Sequence, residues 1–315
     1  MKRLVVCLLA VLVLVSIEPA FGAAIRDLPG FKAKSLGPQD EYAEFDAIGF
    51  PINFFGRSYT QVWVNNNGAL TLAERLFGWQ PQLMRGTARE IIAPFLADVD
   101  TRQDGSQPVR YGRDTVNGRN AFGVNYVKVA FYARTSIASA LNSFQVILID
   151  RTDTGPGNFD IEFNYDQIKW ESGQENGGGL IGQGGATAVA GYSAGQGVDS
   201  GKYYDLEGSL VPGSFLDTGR RPLIRNSLNS AVLGRYLFAS RNGAINPTPG
   251  PPAITTASPL PAAGVGAAYT QALVVSGGVP PYAFSLSGGS VLPAGLTLNP
   301  VTGVISGTPT TAGTG

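Results

Sequence analysis

The chain has 315 residues, with 23 basic and 23 acidic side chains, 42 glycines, 21 prolines and no histidine. This balanced charge argues against a nucleic-acid partner, because binding to phosphates requires an excess of basic residues. The lack of histidine excludes Ser-His-Asp triads, Cys-His dyads and histidine-ligated zinc or iron sites.

The N-terminus has the three parts of a secretory signal. Lys2 and Arg3 precede an apolar run over residues 4–15, and Ala20-Phe21-Gly22 provides the small residues of a cleavage site. The apolar run is too short to cross a bilayer, and no later segment of the sequence is long enough. We therefore predict a signal peptide over residues 1–22, cleavage after Gly22, and a protein that is secreted or held at the cell surface.

The only cysteine, Cys7, lies inside this signal. The mature chain is therefore expected to have no disulfide, no thiol nucleophile and no cysteine-ligated metal. Small secreted animal modules usually carry disulfides, whereas an exported domain of about two hundred residues can be stable through its core alone. We expect a bacterial source.

Many glycines and prolines with few charged residues favour an all-β fold with few short helices. Strands over residues 61–64 and 69–72 flank Asn65-Asn66-Asn67-Gly68, and Asn-Gly supplies the positive φ angles of a tight hairpin turn. Trp63 in the first of these strands is expected in the core. Residues 87–92 are the best helical candidate, and they are short.

Two apolar runs, residues 121–132 and 143–149, are expected in the middle of the core. Residues 158–165 alternate strictly between apolar and polar side chains. This pattern predicts a strand with one buried face and one solvated face, and the solvated face would carry Asp160 and Glu162.

The sequence divides at a proline-rich linker. Closing strands are predicted over residues 186–192 and 235–240, and the linker covers residues 246–252, where four of seven residues lack an amide donor. We therefore predict a first domain over residues 23–245 and a second β domain over residues 253–315. The second is shorter than the roughly 100 residues of an immunoglobulin-like sandwich, so it is expected to be C-terminally incomplete.

Three carboxylates lie close together in the sequence. Asp98, Asp100 and Asp104 precede Gly105, and alternating carboxylates on an extended loop can bind calcium, a hard cation with oxygen ligands. Alternatively, they cap turns and accept hydrogen bonds from loop amides. The spacing does not match the twelve-residue EF-hand loop. Calcium at these residues is one hypothesis, and a structural role is the other.

Two further groups of side chains could contact a ligand. Trp79 lies among turn-forming residues and is the best aromatic candidate for an exposed contact, although it could equally anchor a loop. Asp160 and Glu162 are spaced so that they could act as the acid and nucleophile of a glycosidase. Since catalytic pairs usually come from different strands, simple solvation of these two carboxylates is favoured.

Several motifs closely resemble the nidogen-like (NIDO) domain. They include Ile92-Ala-Pro-Phe-Leu-Ala-Asp-Val-Asp-Thr-Arg102, Val109-Arg-Tyr111, Leu141-Asn-Ser-Phe-Gln-Val-Ile-Leu-Ile-Asp-Arg151 and Gly157-Asn-Phe-Asp-Ile-Glu-Phe-Asn-Tyr165. The tail, with Gly277-Gly-Val-Pro-Pro-Tyr282 and Thr302-Gly-Val-Ile-Ser-Gly-Thr-Pro309, is similar to an immunoglobulin-like repeat of bacterial surface proteins, akin to the cadherin-like unit of dystroglycan.

These resemblances imply a nidogen-like β-sandwich domain followed by a partial Ig-like β-sandwich. They also imply a noncatalytic protein of cell-matrix adhesion, in which the Ig-like repeat acts as a spacer. The expected partner is an extracellular matrix or cell-surface protein or a glycan. The alternative is a secreted carbohydrate-binding or carboxylate-dependent carbohydrate-active protein.

Overall fold

The computed structural model describes residues 24–134, 140–246, 253–254, 256, 258–276, 284–286 and 290–311. The predicted signal peptide and its cleavage site lie outside the described residues, and so does the linker after residue 246. In the described residues all helical structure is short 3-10 turns, which confirms the prediction of an all-β fold with few short helices. None of these turns approaches the length and hydrophobicity that a membrane-crossing helix requires.

The described part of the first unit contains fourteen strands, numbered β1 to β14 in chain order. They are Lys34–Ser35, Ala43–Phe54, Arg57–Asn65, Ala69–Thr71, Glu90–Leu96, Val99–Asp100, Arg110–Val116, Arg119–Phe131, Asn142–Asp150, Phe159–Gln167, Val189–Ala194, Tyr203–Asp205, Arg235–Arg241 and Ala244–Asn246. The 3-10 turns are Pro29–Lys32, Met84–Gly86, Thr152–Thr154, Gln174–Asn176, Gly179–Ile181, Val198–Ser200 and Leu223–Arg225.

The strands form two antiparallel sheets. The large sheet has the order β1-β7-β8-β9-β10-β13-β14, with β6 attached to β8, and the small sheet has the order β12-β11-β5-β4-β3-β2. The predicted hairpin is confirmed, since β3 pairs with β4 through Trp63 and Thr71. Gly68 in its turn has φ of 76°, and a Cβ at this position would collide with the carbonyl of Phe95.

The core lies between the two sheets, so the unit is a β-sandwich. Phe95 from the small sheet lies 5.1 Å, between ring centroids, from Phe144 of the large sheet. The buried Tyr165 hydroxyl of β10 donates a hydrogen bond of 2.6 Å to the Pro94 carbonyl of β5. This bond satisfies a polar group inside the apolar core and fixes the position of one sheet against the other.

Residues 24–32, called here the N-terminal segment, cover the outer face of the large sheet. The ring of Phe31 is fully buried against Gly123, where a Cβ would lie 2.5 Å from a ring carbon. The Gln145 side chain accepts a hydrogen bond from the Arg26 amide at 3.0 Å and donates one to the Arg26 carbonyl at 2.9 Å. The large sheet is therefore covered on both faces in this region.

This cover overturns the prediction of a solvated face on β10. Glu162 is 1% exposed and Asn164 is fully buried. The alternation in the sequence correctly separates polar from apolar side chains. The polar face is nevertheless buried, because the N-terminal segment brings Arg26 over it, 2.7 Å from the Glu162 carboxylate.

Two other local predictions are wrong. Residues 90–96 form β5 rather than part of a helix, and every residue of β5 is buried because the strand lies inside the small sheet with both faces covered. Trp63 is only half buried, since its strand neighbours Val62 and Val64 point into the core and Trp63 points outward.

The described part of the second unit contains five short strands, β15 to β19. They are Ala253–Ile254, Tyr269–Ala272, Val275–Ser276, Leu296–Leu298 and Val304–Gly307. They pair as β16-β19-β18 and as β15-β17, all antiparallel. This arrangement agrees with the prediction of a partial Ig-like β-sandwich.

Candidate functional site

Acidic side chains from separate segments of the chain meet at one place in the sandwich. We call Asp40, Glu41, Asp98, Asp100 and Glu175 the acidic cluster, because the other four carboxylates all lie close enough to raise the pKa of Asp98. The first two precede β2, the next two lie at β6, and the last lies in the 3-10 turn after β10. Tertiary structure, not sequence spacing, brings them together.

Asp98 is held in the interior of this cluster. Asp98 is 2% exposed, and its backbone carbonyl accepts a hydrogen bond of 2.8 Å from the backbone amide of Tyr132. Its carboxylate lies against Gly173, where any Cβ would collide with Oδ2. A glycine at position 173 is therefore required for the carboxylate to occupy this place.

The Asp98 carboxyl lacks a compensating partner. Burial, followed by the charges of Asp40, Glu41, Asp100 and Glu175, raises its pKa from 3.8 to about 8. Its Oδ2 atom is buried without a hydrogen-bond partner. These surroundings therefore disfavour the charged form of this carboxyl.

Asp100 has the opposite environment, although it is also 1% exposed. Its oxygens accept hydrogen bonds from Arg102 Nε at 2.8 Å, Arg102 Nη2 at 2.9 Å and Gln103 Nε2 at 2.8 Å. Burial opposes ionisation, but these hydrogen bonds outweigh it and hold the pKa of Asp100 below its usual value. Asp100 is therefore an ionised carboxylate that is already occupied by its neighbours.

The structure brings together two of the three residues in the calcium prediction. Asp98 and Asp100 interact, whereas Asp104 is exposed in the turn that follows them. Within the ranges that the structure describes, no group of three or more His, Cys, Asp or Glu side chains is arranged to hold a metal ion. A calcium site made of Asp98, Asp100 and Asp104 stays a prediction.

Sequence reasoning missed three neighbouring residues with unsatisfied oxygens. Asp40 Oδ1, Asn66 Oδ1 and Gln103 Oε1 are buried without a hydrogen-bond partner, as is Asp98 Oδ2. Asn66 was recognised only as part of a hairpin turn, and its side-chain amide bridges the carbonyls of Asp40 at 2.8 Å and Val99 at 2.6 Å. No local pattern connects Asp40 or Asn66 with Asp98, so only the fold reveals them, whereas Gln103 lies within the 98–104 run itself.

Trp79 lies in the loop between β4 and β5. Its carbonyl accepts a hydrogen bond of 3.4 Å from Asn176 Nδ2, and Asn176 follows Glu175 of the acidic cluster. The residue is half buried. This places the loop beside the cluster, and the role of Trp79 as a ligand contact stays a prediction.

The carboxylates considered for glycosidase chemistry are both paired with arginines. Glu162 binds Arg26 at 2.7 Å and Arg235 at 3.3 Å. Asp160 binds Arg151 at 2.8 Å and Arg241 at 2.6 Å. Both therefore act as structural anions on the large sheet.

A partly exposed aromatic pair lies on the outer face of the small sheet. Phe45 of β2 lies directly opposite Trp63 of β3, with ring centroids 4.7 Å apart. Phe45 is 45% exposed. We call these two residues the aromatic pair.

The comparisons with known proteins agree with this architecture. Alpha-tectorin of Mus musculus and of Homo sapiens is 30% identical over 224 residues, which cover 64% of this chain and 10% of each relative. Alpha-tectorin of Gallus gallus is 28% identical over 221 residues, with the same coverage of 64% and 10%. This chain therefore spans about a tenth of the length of these curated relatives. No solved structure matches.

Two family models match along the chain. A model of an Ig-domain family (He_PIG) matches residues 251–315. The model of the nidogen-like domain (NIDO) matches residues 60–242, which is more than half of the chain. The chain thus belongs to the nidogen-like domain family, to which its strand motifs had pointed.

Proposed function

We propose that this chain is a noncatalytic extracellular protein whose nidogen-like domain takes part in cell-matrix adhesion and whose Ig-like unit acts as a spacer. The observation that carries the proposal is the match of the NIDO family model over residues 60–242. Similarity to alpha-tectorin supports an extracellular, matrix-type protein. The partner is a matrix or cell-surface protein or a glycan.

The placement of the carboxylates supports a noncatalytic role. A cleft of about 520 Å³ beside the N-terminal segment has Asp27 and Asp166 in its lining. Asp27 forms an ion pair with Lys32. One oxygen of Asp166 accepts hydrogen bonds from the Ala24 amide at 3.2 Å and the Ile25 amide at 3.3 Å. Asp166 holds the N-terminal segment in place and Asp27 is paired within that segment, so we assign them no acid-base chemistry.

Binding to immobilised partners tests the proposal. The mature chain is applied by surface plasmon resonance to purified matrix proteins, and separately to a glycan array. We expect saturable binding to at least one probe, and about tenfold weaker binding after Trp63→Ala and Phe45→Ser in the aromatic pair. Leu180→Ser is the matched control, because Leu180 is an apolar side chain that is 70% exposed elsewhere in the domain. An absence of binding to every probe would contradict adhesion.

Carbohydrate binding is the second candidate, and the aromatic pair is the observation that favours it. Exposed, closely spaced rings can stack against the apolar faces of sugars. Trp79 is proposed as an additional contact. Free sugar should then compete with glycan binding, and Trp79→Ala should weaken it. Binding to matrix proteins that free sugar leaves unchanged would favour the protein-partner form of the proposal.

A further inference from the structure

Several buried oxygens in and beside the acidic cluster have no hydrogen-bond donor among the described residues. Four of the described side-chain atoms that are buried without a hydrogen-bond partner are acceptors in this one region: Asp40 Oδ1, Asn66 Oδ1, Asp98 Oδ2 and Gln103 Oε1. A buried oxygen without a hydrogen-bond donor destabilises a fold, so four in one region need a specific explanation.

Hydrogen bonds connect two of these side chains, Asp40 and Gln103, to the Asp100 carboxylate. Arg102 Nη2 donates to Asp40 Oδ2 at 2.6 Å and to Asp100 Oδ2 at 2.9 Å. Gln103 Nε2 donates to the same Asp100 oxygen at 2.8 Å. The second oxygen of Asp40 and the amide oxygen of Gln103 have no donor among the described residues.

The excess of negative charge in the acidic cluster also favours binding of a cation. Five carboxylates form the cluster, and the cations that bind them are Arg102, with Asp40 and Asp100, and Arg134, with Glu175. The Arg134 guanidinium is 70% exposed, so it offsets little charge in the interior. Asp98 stays buried among four like charges.

We propose that the acidic cluster binds a divalent cation of the calcium type, with the carboxylates of Asp98 and Asp40 and the amide oxygen of Gln103 as its protein ligands. Asp100 and Asp104 are not ligands, because the first is occupied by Arg102 and Gln103 and the second is exposed. Calcium accepts carboxylate, amide and water oxygens in irregular geometry, whereas magnesium demands a near-ideal octahedron. Two carboxylates with neutral oxygens and water suit calcium.

Calorimetry and thermal unfolding test the proposal on the mature chain after dialysis against EDTA. Calcium chloride should bind with a Kd of about 0.1 to 1 mM, the range of extracellular calcium modules. At about 10 mM it should raise the Tm by about 4 °C. Asp98→Asn should weaken binding at least tenfold, and Asp40→Asn provides a second variant should the first fold poorly.

Asp199→Asn is the matched control, because Asp199 is an exposed aspartate outside the cluster. It should bind calcium as the wild type does. Wild-type protein that shows neither heat of binding nor a Tm shift would overturn the proposal. Equal calcium affinity in Asp98→Asn and the wild type would also overturn it, since the ion would then bind elsewhere.

Discussion

Glu162 and Asp98 are both almost completely buried carboxylates, yet their surroundings differ. Glu162 lies between Arg26 and Arg235 and accepts a further hydrogen bond of 2.7 Å from Asn164 Nδ2. Asp98 has four acidic neighbours and one oxygen without a partner. Burial alone therefore does not define the role of a carboxylate, because its partners decide whether it stabilises the fold or awaits a ligand.

The region around Glu162 and the acidic cluster around Asp98 also differ in the residues that enclose them. The Glu162 region is closed by the N-terminal segment, which supplies Arg26 and the buried ring of Phe31. In the acidic cluster the arginines pair with Asp40, Asp100 and Glu175 rather than with Asp98. We expect substitutions in the first region to lower stability, and substitutions in the second to change ion and proton binding.

The largest expected effect is loss of the cover on the large sheet. Phe31→Ala should lower the free energy of unfolding by about 4 kcal/mol, because it leaves a cavity over Gly123 and loosens the N-terminal segment. Urea denaturation measures this change. Phe77→Ala is the control, since Phe77 is 65% exposed and its loss should cost less than about 0.5 kcal/mol. Equal costs would mean that the segment does not stabilise the sheet.

Removing the charge of Glu162 should have the next largest effect. Glu162→Gln should cost about 3 kcal/mol in the free energy of unfolding, because it leaves Arg26 and Arg235 without their buried anion. The measurement is urea denaturation at pH 7. A cost below about 1 kcal/mol would show that solvent already screens these arginines.

The same change of carboxylate to amide at Asp98 should have the opposite sign. The folded-state pKa of Asp98 is raised from 3.8 to about 8, so its contribution to stability is fully present below about pH 4 and is lost as pH rises through 8. In calcium-free buffer at pH 9, Asp98→Asn should be more stable than the wild type by at least about 2 kcal/mol, since each unit of pKa shift corresponds to about 1.4 kcal/mol. Unfolding curves at pH 5 and pH 9 test this, and a parallel pH dependence in both proteins would contradict it.

The smallest effect is expected at the rim of the acidic cluster. Arg134→Ala breaks an ion pair in which Arg134 is 70% and Glu175 is 37% exposed, so it should change the free energy of unfolding by at most about 0.5 kcal/mol. Arg235→Ala is the matched comparison at Glu162, where the arginine is 12% exposed, and it should cost more. If urea denaturation gave similar losses of unfolding free energy for Arg134→Ala and Arg235→Ala, the proposed difference between the acidic cluster and the Glu162 region would be contradicted.

Local sequence patterns correctly predicted the strands and turns that are determined by their own residues. The hairpin of β3 and β4 follows from Asn-Gly between two β-rich runs. The strand β9 follows from an apolar run, which is typical of a central strand that is buried on both faces. β5 was partly assigned to a short helix because a strand buried on both faces shows no alternation. An element is therefore predictable from the sequence to the extent that its own residues, rather than distant ones, determine its conformation.

Long-range contacts explain what the sequence could not reveal. The alternation of β10 identified its two faces, but the cover over Glu162 comes from a segment 136 residues earlier in the chain. Asp98 and Asp100 were recognised as neighbours in the sequence, whereas Asp40 and Asn66 join them only through folding. Partner identity in buried polar groups is a tertiary property, and local spacing does not encode it.

The position of the N-terminal segment also has a consequence for the order of folding. The Arg235 guanidinium donates a hydrogen bond of 2.7 Å to the Ala24 carbonyl, across 211 positions of the chain. Contacts of such high sequence separation form late, because the entropy of closing a long loop must be met first. During synthesis the residues around Ala24 emerge before β13 exists. Their contact with Arg235 can therefore form only when nearly the whole domain has been made, so the first part of the domain to be synthesised is among the last to complete its native contacts.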